Sequence, residues 1–309
     1  SNERLFMCAG YNTLAYNPSV TYGVWQGQDD ANVIFKNAQF YNGGTDASPN
    51  YNVRKNPYVS DPISSNRTDL AATGTMAYWA WADNNGDGKF DTGECGNVTA
   101  LSSNSGGVSF ASGLTTDAQK QNFANWYSYH RSRLLTAKYA LSKVMAQAQS
   151  EVRMGHATLH NNGSNSNVKI ETMNAPVGDN PKKALLAALH KVQASGDIPL
   201  RTQLDKAGKY YECNSDNIFG ASAPSPCPIA TNASGGSCQQ NFTVLMTDGY
   251  WNDDPPFSGL GNVDADGNSP NAAGNTTFDG GAYADGYSDT LADVAMHYYE
   301  RDLAPGLSN

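Results

Sequence analysis

The stretch NFTVLMTDG, residues 241–249, decides the fold class. Its residues 242–246 are a nearly continuous apolar run, and the run stops at Thr247, Asp248 and Gly249. A short apolar run of this kind is typical of a strand that is buried in a parallel sheet, and the polar turn after it is typical of a functional loop. The sequence therefore predicts a buried parallel strand at residues 242–246.

Helical patterns alternate with strand patterns from residue 116 onward. Apolar residues recur at helical spacing along residues 115–152, which predicts one long helix. Further helices are predicted at residues 180–192, 198–212 and 288–303, the last with Ser288 or Asp289 as its cap. Residues 152–160 and 167–173 are predicted to form a hairpin of two strands. This alternation predicts an α/β domain that is doubly wound around a mainly parallel sheet.

The first part of the chain has a different composition. Asn, Gly, Tyr, Ser and Thr dominate residues 1–115, and helical periodicity is weak there. Such composition favours short strands that are joined by long loops. We therefore predict an irregular, β- and loop-rich subdomain at residues 1–115. The α/β domain at residues 116–309 would then carry a cysteine loop at 213–238 and an acidic loop at 253–286.

Charge and hydrophobicity exclude several classes of function. The 309 residues carry a formal net charge of −9. Binding to a phosphate backbone needs clustered Lys and Arg, so we expect no nucleic-acid partner. The apolar runs are short, so we expect no transmembrane segment. Hydrophobic residues make up 39% of the chain, which argues against a disordered protein.

The cysteines predict disulfides rather than a zinc site. Cys213, Cys227 and Cys238 lie in a stretch rich in Pro, Ser and Gly, and two of these three are predicted to pair. Cys8 with Cys95 is the expected second bridge. No Cys-x-x-Cys pair is present, and zinc prefers tighter spacing with His partners. Two disulfides indicate an oxidising compartment, and the alternative is five free thiols in a cytosolic protein.

The strongest chemical motif is the loop DNNGDGKFDTGE, residues 83–94. It matches the calcium-loop pattern D-x-[DN]-x-[DN]-G-x₅-E at every specified position. Gly88 permits the sharp turn, and the residues after the loop do not form an exiting helix. The predicted ligands are Asp83, Asn85, Asp87, the backbone carbonyl of Lys89, Asp91 and Glu94. We therefore predict an EF-hand-like calcium loop, and the alternative is a solvated turn that matches by composition.

A second acidic turn, at residues 262–268, repeats the first half of that spacing without the late glutamate. Its candidate calcium ligands are Asn262, Asp264, Asp266 and Asn268. Calcium and an ordinary loop are equally compatible with this pattern. The sequence contains no nucleophile elbow, phosphate-binding glycine loop or Cys–His signature, so nothing in its motifs requires an enzyme.

Five blocks of sequence carry a resemblance to a known family. The two specific blocks are NFANWYSYHRSRLLTAK (residues 122–138) and LMTDGYWN (residues 245–252). Three supporting blocks are CAGYNTLAYNPSVTYGVW (8–25), IPLRTQLDKAGKYY (198–211) and TLADVAMHYYERDL (290–303). With these blocks, essentially the whole chain resembles the N-terminal part of the PilY/PilC family of type IV pilus tip adhesins.

The resemblance implies a von Willebrand factor A-like domain with a large family-specific insertion. Such domains bind a divalent ion through an Asp-x-Ser-x-Ser motif, a Thr and the Asp of a Thr-Asp-Gly turn. Here Asp248 is the last of these ligands, no Asp-x-Ser-x-Ser occurs, and Ile198 stands where the Thr is expected. We therefore expect a sheet that is incomplete in this chain, and only weak Mg²⁺ or Mn²⁺ binding at Asp248.

The resemblance also implies a function. We expect a calcium-binding adhesin and assembly factor at the tip of a type IV pilus, in contact with minor pilins and with a ligand on a host cell or surface. Its expected location is extracellular, reached through the periplasm, and its expected roles include surface sensing and virulence. The alternatives are a secreted calcium-stabilised scaffold without a host ligand and, less favoured, a secreted hydrolase.

Overall fold

The computed structural model describes residues 8–9, 11–28, 34–38, 77–95, 99–100, 116–149, 151–160, 167–173, 181–194, 196–247, 249, 259–265 and 284–307. The helices are α1 (Thr116–Tyr129), α2 (Arg133–Gln147), α3 (Pro181–Lys191), α4 (Leu200–Tyr211) and α5 (Leu291–Tyr299). The strands are β1 (Cys8–Ala9), β2 (Ala77–Ala80), β3 (Thr99–Ala100), β4 (Arg153–His156) and β5 (Val168–Thr172). Within these ranges, no helix is long and apolar enough to cross a membrane.

The strands form two small sheets. β2 is the middle strand of the first sheet, where it runs parallel to β1 and antiparallel to β3. β4 and β5 form the second sheet. At one end of this pair the N–H of Met173 donates to Val152 O at 3.0 Å, and at the other end the N–H of Thr158 donates to Asn167 Oδ1 at 3.1 Å. These contacts show that the two strands run in opposite directions, so the predicted hairpin is confirmed.

The chain divides into two units. The first unit comprises residues 1–154 and 172–194, and the second comprises residues 155–171 and 195–309. Helices α1, α2 and α3 therefore belong with the N-terminal segments, while α4 and α5 belong to the second unit. This division does not coincide with the boundary expected after residue 115. A von Willebrand A-like fold for residues 116–309 stays a prediction.

The single long helix predicted along residues 115–152 is wrong, because the helix is interrupted after Tyr129. The hydroxyl of Ser132 accepts the N–H of Leu135 at 3.3 Å and caps α2. Trp25 Nε1 donates to Tyr129 O at 3.2 Å and to Leu135 O at 3.1 Å. The interruption is tolerated because side chains satisfy backbone groups that a continuous helix would otherwise pair.

A stripe of amides on α1 binds the irregular N-terminal segment. Asn122 accepts the N–H of Tyr22 at 2.8 Å and donates to Val20 O at 2.7 Å. Asn125 accepts the N–H of Ala38 at 2.9 Å and donates to Tyr22 O at 2.9 Å. A buried segment without regular secondary structure needs such partners for its backbone groups. The amide stripe therefore explains why α1 packs with the N-terminal residues.

Aromatic rings build the core of the first unit around Trp25, which is 1% exposed. The Trp25 ring stacks on His190 of α3, with centroids 4.9 Å apart and planes 3° from parallel. Lys138 of α2 holds its ammonium 5.1 Å from the Trp25 ring and donates to His190 O at 2.7 Å. Other buried rings of this core are Tyr16, Tyr22, Tyr78, Phe123 and Tyr129. The core thus joins the N-terminal segment to α1, α2 and α3.

Burial shifts the pKa values of two groups in this core. It lowers the pKa of Lys138 to about 7 and the pKa of His190 to about 4. His190 is fully buried, and its Nε2–H donates to Gln26 O at 2.8 Å while Nδ1 has no hydrogen-bond partner. His190 is therefore neutral at neutral pH.

In the second unit, α4 approaches α5 closely at Gly208. A Cβ atom at this position would lie 2.3 Å from the ring of Tyr298, so only glycine allows the approach. The Tyr298 hydroxyl donates to Asp205 Oδ1 at 2.7 Å, and Arg301 forms a salt bridge with Glu212. These polar contacts fix the two helices against each other.

The buried strand predicted at residues 242–246 is wrong in this structure. The segment is not part of a strand, and the side chains of Phe242, Val244 and Met246 are 75%, 83% and 52% exposed. The one parallel strand pair in the described part of the chain is β1–β2, which lies in the first unit. An apolar run is buried only where a sheet receives it, and the described segments place no sheet around these residues.

The start of α5 also differs from the prediction. Thr290, rather than Ser288 or Asp289, is the cap, and its hydroxyl accepts the N–H of Asp293 at 3.2 Å. The Asp293 carboxylate accepts the N–H of Thr290 at 2.7 Å in return. This reciprocal pair is a capping box, which satisfies two otherwise unpaired backbone donors.

Both predicted disulfides are confirmed. Cys8 pairs with Cys95, and Cys213 pairs with Cys227. The first bridge ties β1 to the residue that follows the loop at residues 83–94, and the second closes the segment after α4. Cys238 is free and exposed. The remaining thiol of the cysteine loop is therefore Cys238, which the spacing alone left open.

Acidification should destabilise the first unit through His190. The ordinary histidine pKa is 6.5, whereas the pKa of buried His190 is about 4. The unfolded state therefore binds more protons between these values, so the free energy of unfolding should fall by up to roughly 3 kcal/mol as the pH drops through this window. Urea unfolding at a series of pH values, followed by tryptophan fluorescence, measures this slope.

The variant His190→Gln keeps a donor for Gln26 O but cannot take up the proton. It should therefore flatten the pH slope. Equal slopes in the wild type and in His190→Gln would contradict the assignment to His190.

Candidate metal centre

The loop at residues 83–94, called the acidic loop from here on, begins close after β2 and ends immediately before Cys95. Its base is closed by a strand bridge between Trp81 and Cys95 and by the N–H of Ala82, which donates to Glu94 O at 2.9 Å. The disulfide to Cys8 fixes the same point. Strands rather than helices lie on either side of the loop, so the loop is not part of a helix–loop–helix EF-hand.

Asp83 organises the turn at the start of the loop. Its Oδ1 accepts the N–H groups of Gly86 at 2.7 Å and Asp87 at 3.2 Å, and its Oδ2 accepts the N–H of Gly88 at 2.9 Å. Gly86 and Gly88 have φ angles of 74° and 71°, in the left-handed region that favours glycine. The two glycines therefore let three backbone donors face one carboxylate.

The next predicted ligands are exposed and form hydrogen bonds within the loop. Asn85 Oδ1 accepts the N–H of Asp87 at 3.1 Å, and Asn85 Nδ2 donates to Asp91 Oδ2 at 2.6 Å. Asp87 Oδ1 accepts the N–H of Lys89 at 2.8 Å. These contacts hold the oxygens of Asn85 and Asp87 beside the loop backbone and tie Asp91 to the Asn85 side chain.

Glu94 is the buried member of the predicted ligand set, at 4% exposure. Its Oε2 accepts the N–H of Asp91 at 2.9 Å and the indole N–H of Trp81 at 3.1 Å, and its Oε1 accepts the N–H of Asn84 at 2.9 Å. These donors, the N–H of Asp91 first, hold the pKa of Glu94 below its usual range. The Glu94 carboxylate is therefore charged at neutral pH and ties the end of the loop to its start.

The donor types fit calcium, because the loop offers four carboxylates, an amide and a backbone carbonyl, all of them hard oxygen ligands. The arrangement is not that of a closed metal site. Among the described residues, no group of three or more His, Cys, Asp or Glu side chains is placed to hold a metal ion. The Asp83 and Glu94 carboxylates face backbone donors instead. Calcium binding at residues 83–94 stays a prediction, and it requires these side chains to turn toward one centre.

The remaining predicted ligands are described only in part. Asp248, the candidate for weak Mg²⁺ or Mn²⁺ binding, lies outside the described residues, as do Asp266 and Asn268. Asn262 and Asp264 are described, and they lie in the second unit. The ion site at Asp248 and the second calcium site both stay predictions.

Two residues that shape the acidic turns belong to no predicted site. Trp81 donates to Glu94 from outside the calcium-loop pattern, so the pattern could not indicate it. Asp293 is fully buried and accepts the N–H groups of Val263 at 2.7 Å and Asp264 at 3.3 Å. The spacing of Thr290 and Asp293 is that of a capping box, which is the sequence signal that could have indicated it.

Comparison with known proteins gives one consistent similarity. The chain is 30% identical over 199 residues to the type IV pilus biogenesis factor PilY1 of Pseudomonas aeruginosa strain PAO1. The chain contains a PilY1-like region. The PilY1 proteins of strains PAK and UCBPP-PA14 are each 29% identical to it, over 198 and 201 residues.

The PilY1-like region is a small part of those relatives. Each match covers 62% of this chain, and the chain spans about a sixth of the length of the curated relatives, with 16% of each covered. No family model matches the chain, and no solved structure matches it. The similarity therefore supports a PilY1-like region and does not define its fold.

Replacing Glu94 should loosen the acidic loop even in the absence of calcium. Glu94→Gln removes the charge that three N–H donors stabilise and places an NH₂ group among them, so the melting temperature should fall. The carboxylate has a depressed pKa, so its advantage over Gln is present above pH 4.5 and should disappear as acidification protonates it. Thermal melts of both proteins in chelator, at pH 7 and at lower pH, measure this.

The exposed Glu171 of β5 provides the matched control. Glu171→Gln makes the same chemical change without three buried donors, and it should leave the melting temperature nearly unchanged. If Glu94→Gln behaves like Glu171→Gln, the hydrogen bonds of Glu94 do not stabilise the loop.

Proposed function

We propose that this chain is part of a pilus-associated surface protein that supports type IV pilus assembly and attachment to host cells or surfaces. The similarity over 199 residues to proteins named type IV pilus biogenesis factor PilY1 is the observation that carries this role. The role in attachment is a further step, which the chain's resemblance to tip adhesins suggests. Minor pilins at the pilus tip and a ligand on the attached surface are the proposed partners.

The cysteines support a location outside the cytoplasm. Two disulfides are present, and such bonds form and persist in the periplasm and outside the cell. The net charge of −9 further disfavours a nucleic-acid partner. We therefore propose a location at the pilus tip or on the bacterial surface, reached by export through the periplasm.

The proposed role is binding rather than catalysis. The relatives are named as biogenesis factors, and the sequence carries no motif of a hydrolase. A von Willebrand A-like domain, with weak Mg²⁺ or Mn²⁺ binding at Asp248, is the proposed framework for ligand recognition. A secreted scaffold without a host ligand of its own is the second candidate, because the disulfides and the acidic loop are equally compatible with it.

Calcium is the proposed cofactor of the acidic loop. Its four carboxylates repel one another, and a divalent cation with oxygen ligands relieves this repulsion. Phe90 of the loop packs on Tyr11 with ring centroids 5.4 Å apart, and Tyr11 packs on Trp81 at 5.7 Å. An ordered loop would therefore fix these rings and the N-terminal segment. Because calcium is abundant outside the cell, its role would be structural rather than signalling.

Calcium should raise the stability of the first unit. Binding to the folded state adds about 2.7 kcal/mol when free calcium is a hundredfold above the dissociation constant. The double variant Asp83→Ala with Asp87→Ala should lower the calcium-dependent rise in the melting temperature of the first unit. Melting curves in calcium and in chelator measure the rise, with Asp197→Ala, an exposed acid of the second unit, as the control. If chelation leaves the wild-type curve of the first unit unchanged, residues 83–94 are only a turn.

Deleting the gene should separate the candidate functions. Loss of surface pili together with loss of adherence, restored by the complete gene, is the expected outcome for an assembly factor and adhesin. The deletion strain can also be complemented with a gene in which only this region is replaced. Normal pili without adherence in that strain would locate attachment in this region. Normal piliation and normal adherence in the deletion strain would refute the pilus role, and turnover of a substrate by the purified chain would support the hydrolase.

A further inference from the structure

The turn at residues 259–265 is held against the start of α5 by the carboxylates of Asp293 and Asp289. Asp293 is 0% exposed and accepts the N–H groups of Val263 and Asp264 with one oxygen and the N–H of Thr290 with the other. Asp289 accepts the N–H of Leu260 at 2.9 Å in the same way. Each of these oxygens has a backbone donor, so this part of the turn is fully satisfied.

Two oxygens in the same turn have no partner. Asp264 is 2% exposed, and its Oδ2 is buried without a hydrogen bond. Oδ1 of Asn262 is also buried without a hydrogen bond. Unsatisfied buried polar atoms are rare, and an ion or a water molecule is a common reason for one. Here two of them lie only two residues apart in one turn.

One residue positions both side chains. Asn262 Nδ2 donates to Asp285 O at 2.8 Å, and the N–H of Asp285 donates to Asp264 Oδ1 at 3.3 Å. The amide and the carboxylate are therefore anchored through their other polar atoms to the backbone of one residue. This anchoring leaves one amide carbonyl oxygen and one carboxylate oxygen free, which is an oxygen-rich pair suited to a hard cation.

The charge around the turn also favours a cation. No Lys, Arg or His occurs between Lys209 and His297 in the sequence. The salt bridges of the described second unit involve Asp205, Asp216 and Glu212, and none reaches Asp264 or Asp293. Buried carboxylates without a positive partner are costly. The guanidinium of Arg201 donates to the backbone carbonyl of Asp289 at 3.0 Å, and a bound cation would add positive charge beside Asp264.

We propose that Asn262 Oδ1 and Asp264 Oδ2 bind a calcium-class divalent cation, whose other ligands are waters or backbone carbonyls. Calcium accepts carboxylate, amide and water oxygens in a flexible geometry, whereas Mg²⁺ demands a near-ideal octahedron. A site with one carboxylate and one amide is also consistent with the lack, in the described residues, of any metal-binding group of three acidic, His or Cys side chains. The cation clamps the turn to α5 and acts in the second unit, independently of the loop at residues 83–94.

The test uses the full chain in the background of Asp83→Ala with Asp87→Ala, which removes the predicted ligands of the first loop. Bound calcium per chain is measured by equilibrium dialysis, and melting curves are recorded in calcium and in chelator. In this background calcium should still bind and still raise the melting temperature of the second unit. Adding Asp264→Asn should abolish both effects, while Asp197→Asn, an exposed acid of the same unit, should abolish neither.

Asn262→Asp is the complementary variant, because it adds a carboxylate at the second ligand. It should lower the melting temperature in chelator and increase the affinity for calcium, and this outcome does not depend on whether Asp264→Asn folds. A calcium effect that is unchanged by Asp264→Asn, or an affinity that Asn262→Asp does not raise, overturns the site and leaves a water molecule as the ligand. If the first-loop background alone removes all calcium binding, this second site is refuted and the first is supported.

Discussion

The indole of Trp25 is the contact on which the first unit depends. Its N–H donates to carbonyls on both sides of the interruption between α1 and α2, and its ring stacks on His190 of α3. One side chain from an irregular segment thus joins three helices. Burial of this large ring supplies apolar contact area, and its single donor satisfies the Tyr129 carbonyl at the end of α1, which that helix leaves unpaired. Lys138 and His190 are buried beside this ring with lowered pKa values, so the stability of the first unit depends on pH.

In both units, a buried carboxylate orders an irregular turn by accepting hydrogen bonds from its backbone. Glu94 in the first unit and Asp293 in the second are buried carboxylates that accept backbone N–H groups from the turn they support. Hydrogen bonds to an ionised acceptor are stronger than neutral ones, so one carboxylate can fix several residues that lack a sheet or helix ladder. These carboxylates also concentrate negative charge, which is why a cation is proposed at each of the two turns. Buried carboxylates can therefore order turns rich in Asn, Asp and Gly without much regular secondary structure.

The predictions that succeeded depend on local pattern. The helices at Pro181–Lys191 and Leu200–Tyr211 and the β4–β5 hairpin follow from periodicity and turn residues, and they agree with the sequence to within a few residues. The predictions that failed depend on what lies beside a segment. The apolar run at residues 242–246 has the pattern of a buried strand, yet its side chains are exposed, because burial requires a neighbouring sheet that no local pattern encodes. The helix along residues 115–152 can be interrupted because Ser132 caps the start of α2 and the distant Trp25 donates to Tyr129 O at the end of α1.

The sequence by itself determined the local chemistry of this protein: the loop at residues 83–94 with its turn-forming Gly88, the approximate helix positions, the Cys8–Cys95 pair with one further bridge among three cysteines, and the family resemblance. These features are readable because each depends on residues that are close in the chain or on the residue types themselves. The tertiary structure alone decided that the amides of α1 bind the N-terminal backbone, that Trp81 supports Glu94, and that Asn262 and Asp264 keep buried oxygens without partners. Those facts depend on which groups meet across long sequence separations and on which of them lose water, and the linear pattern specifies neither.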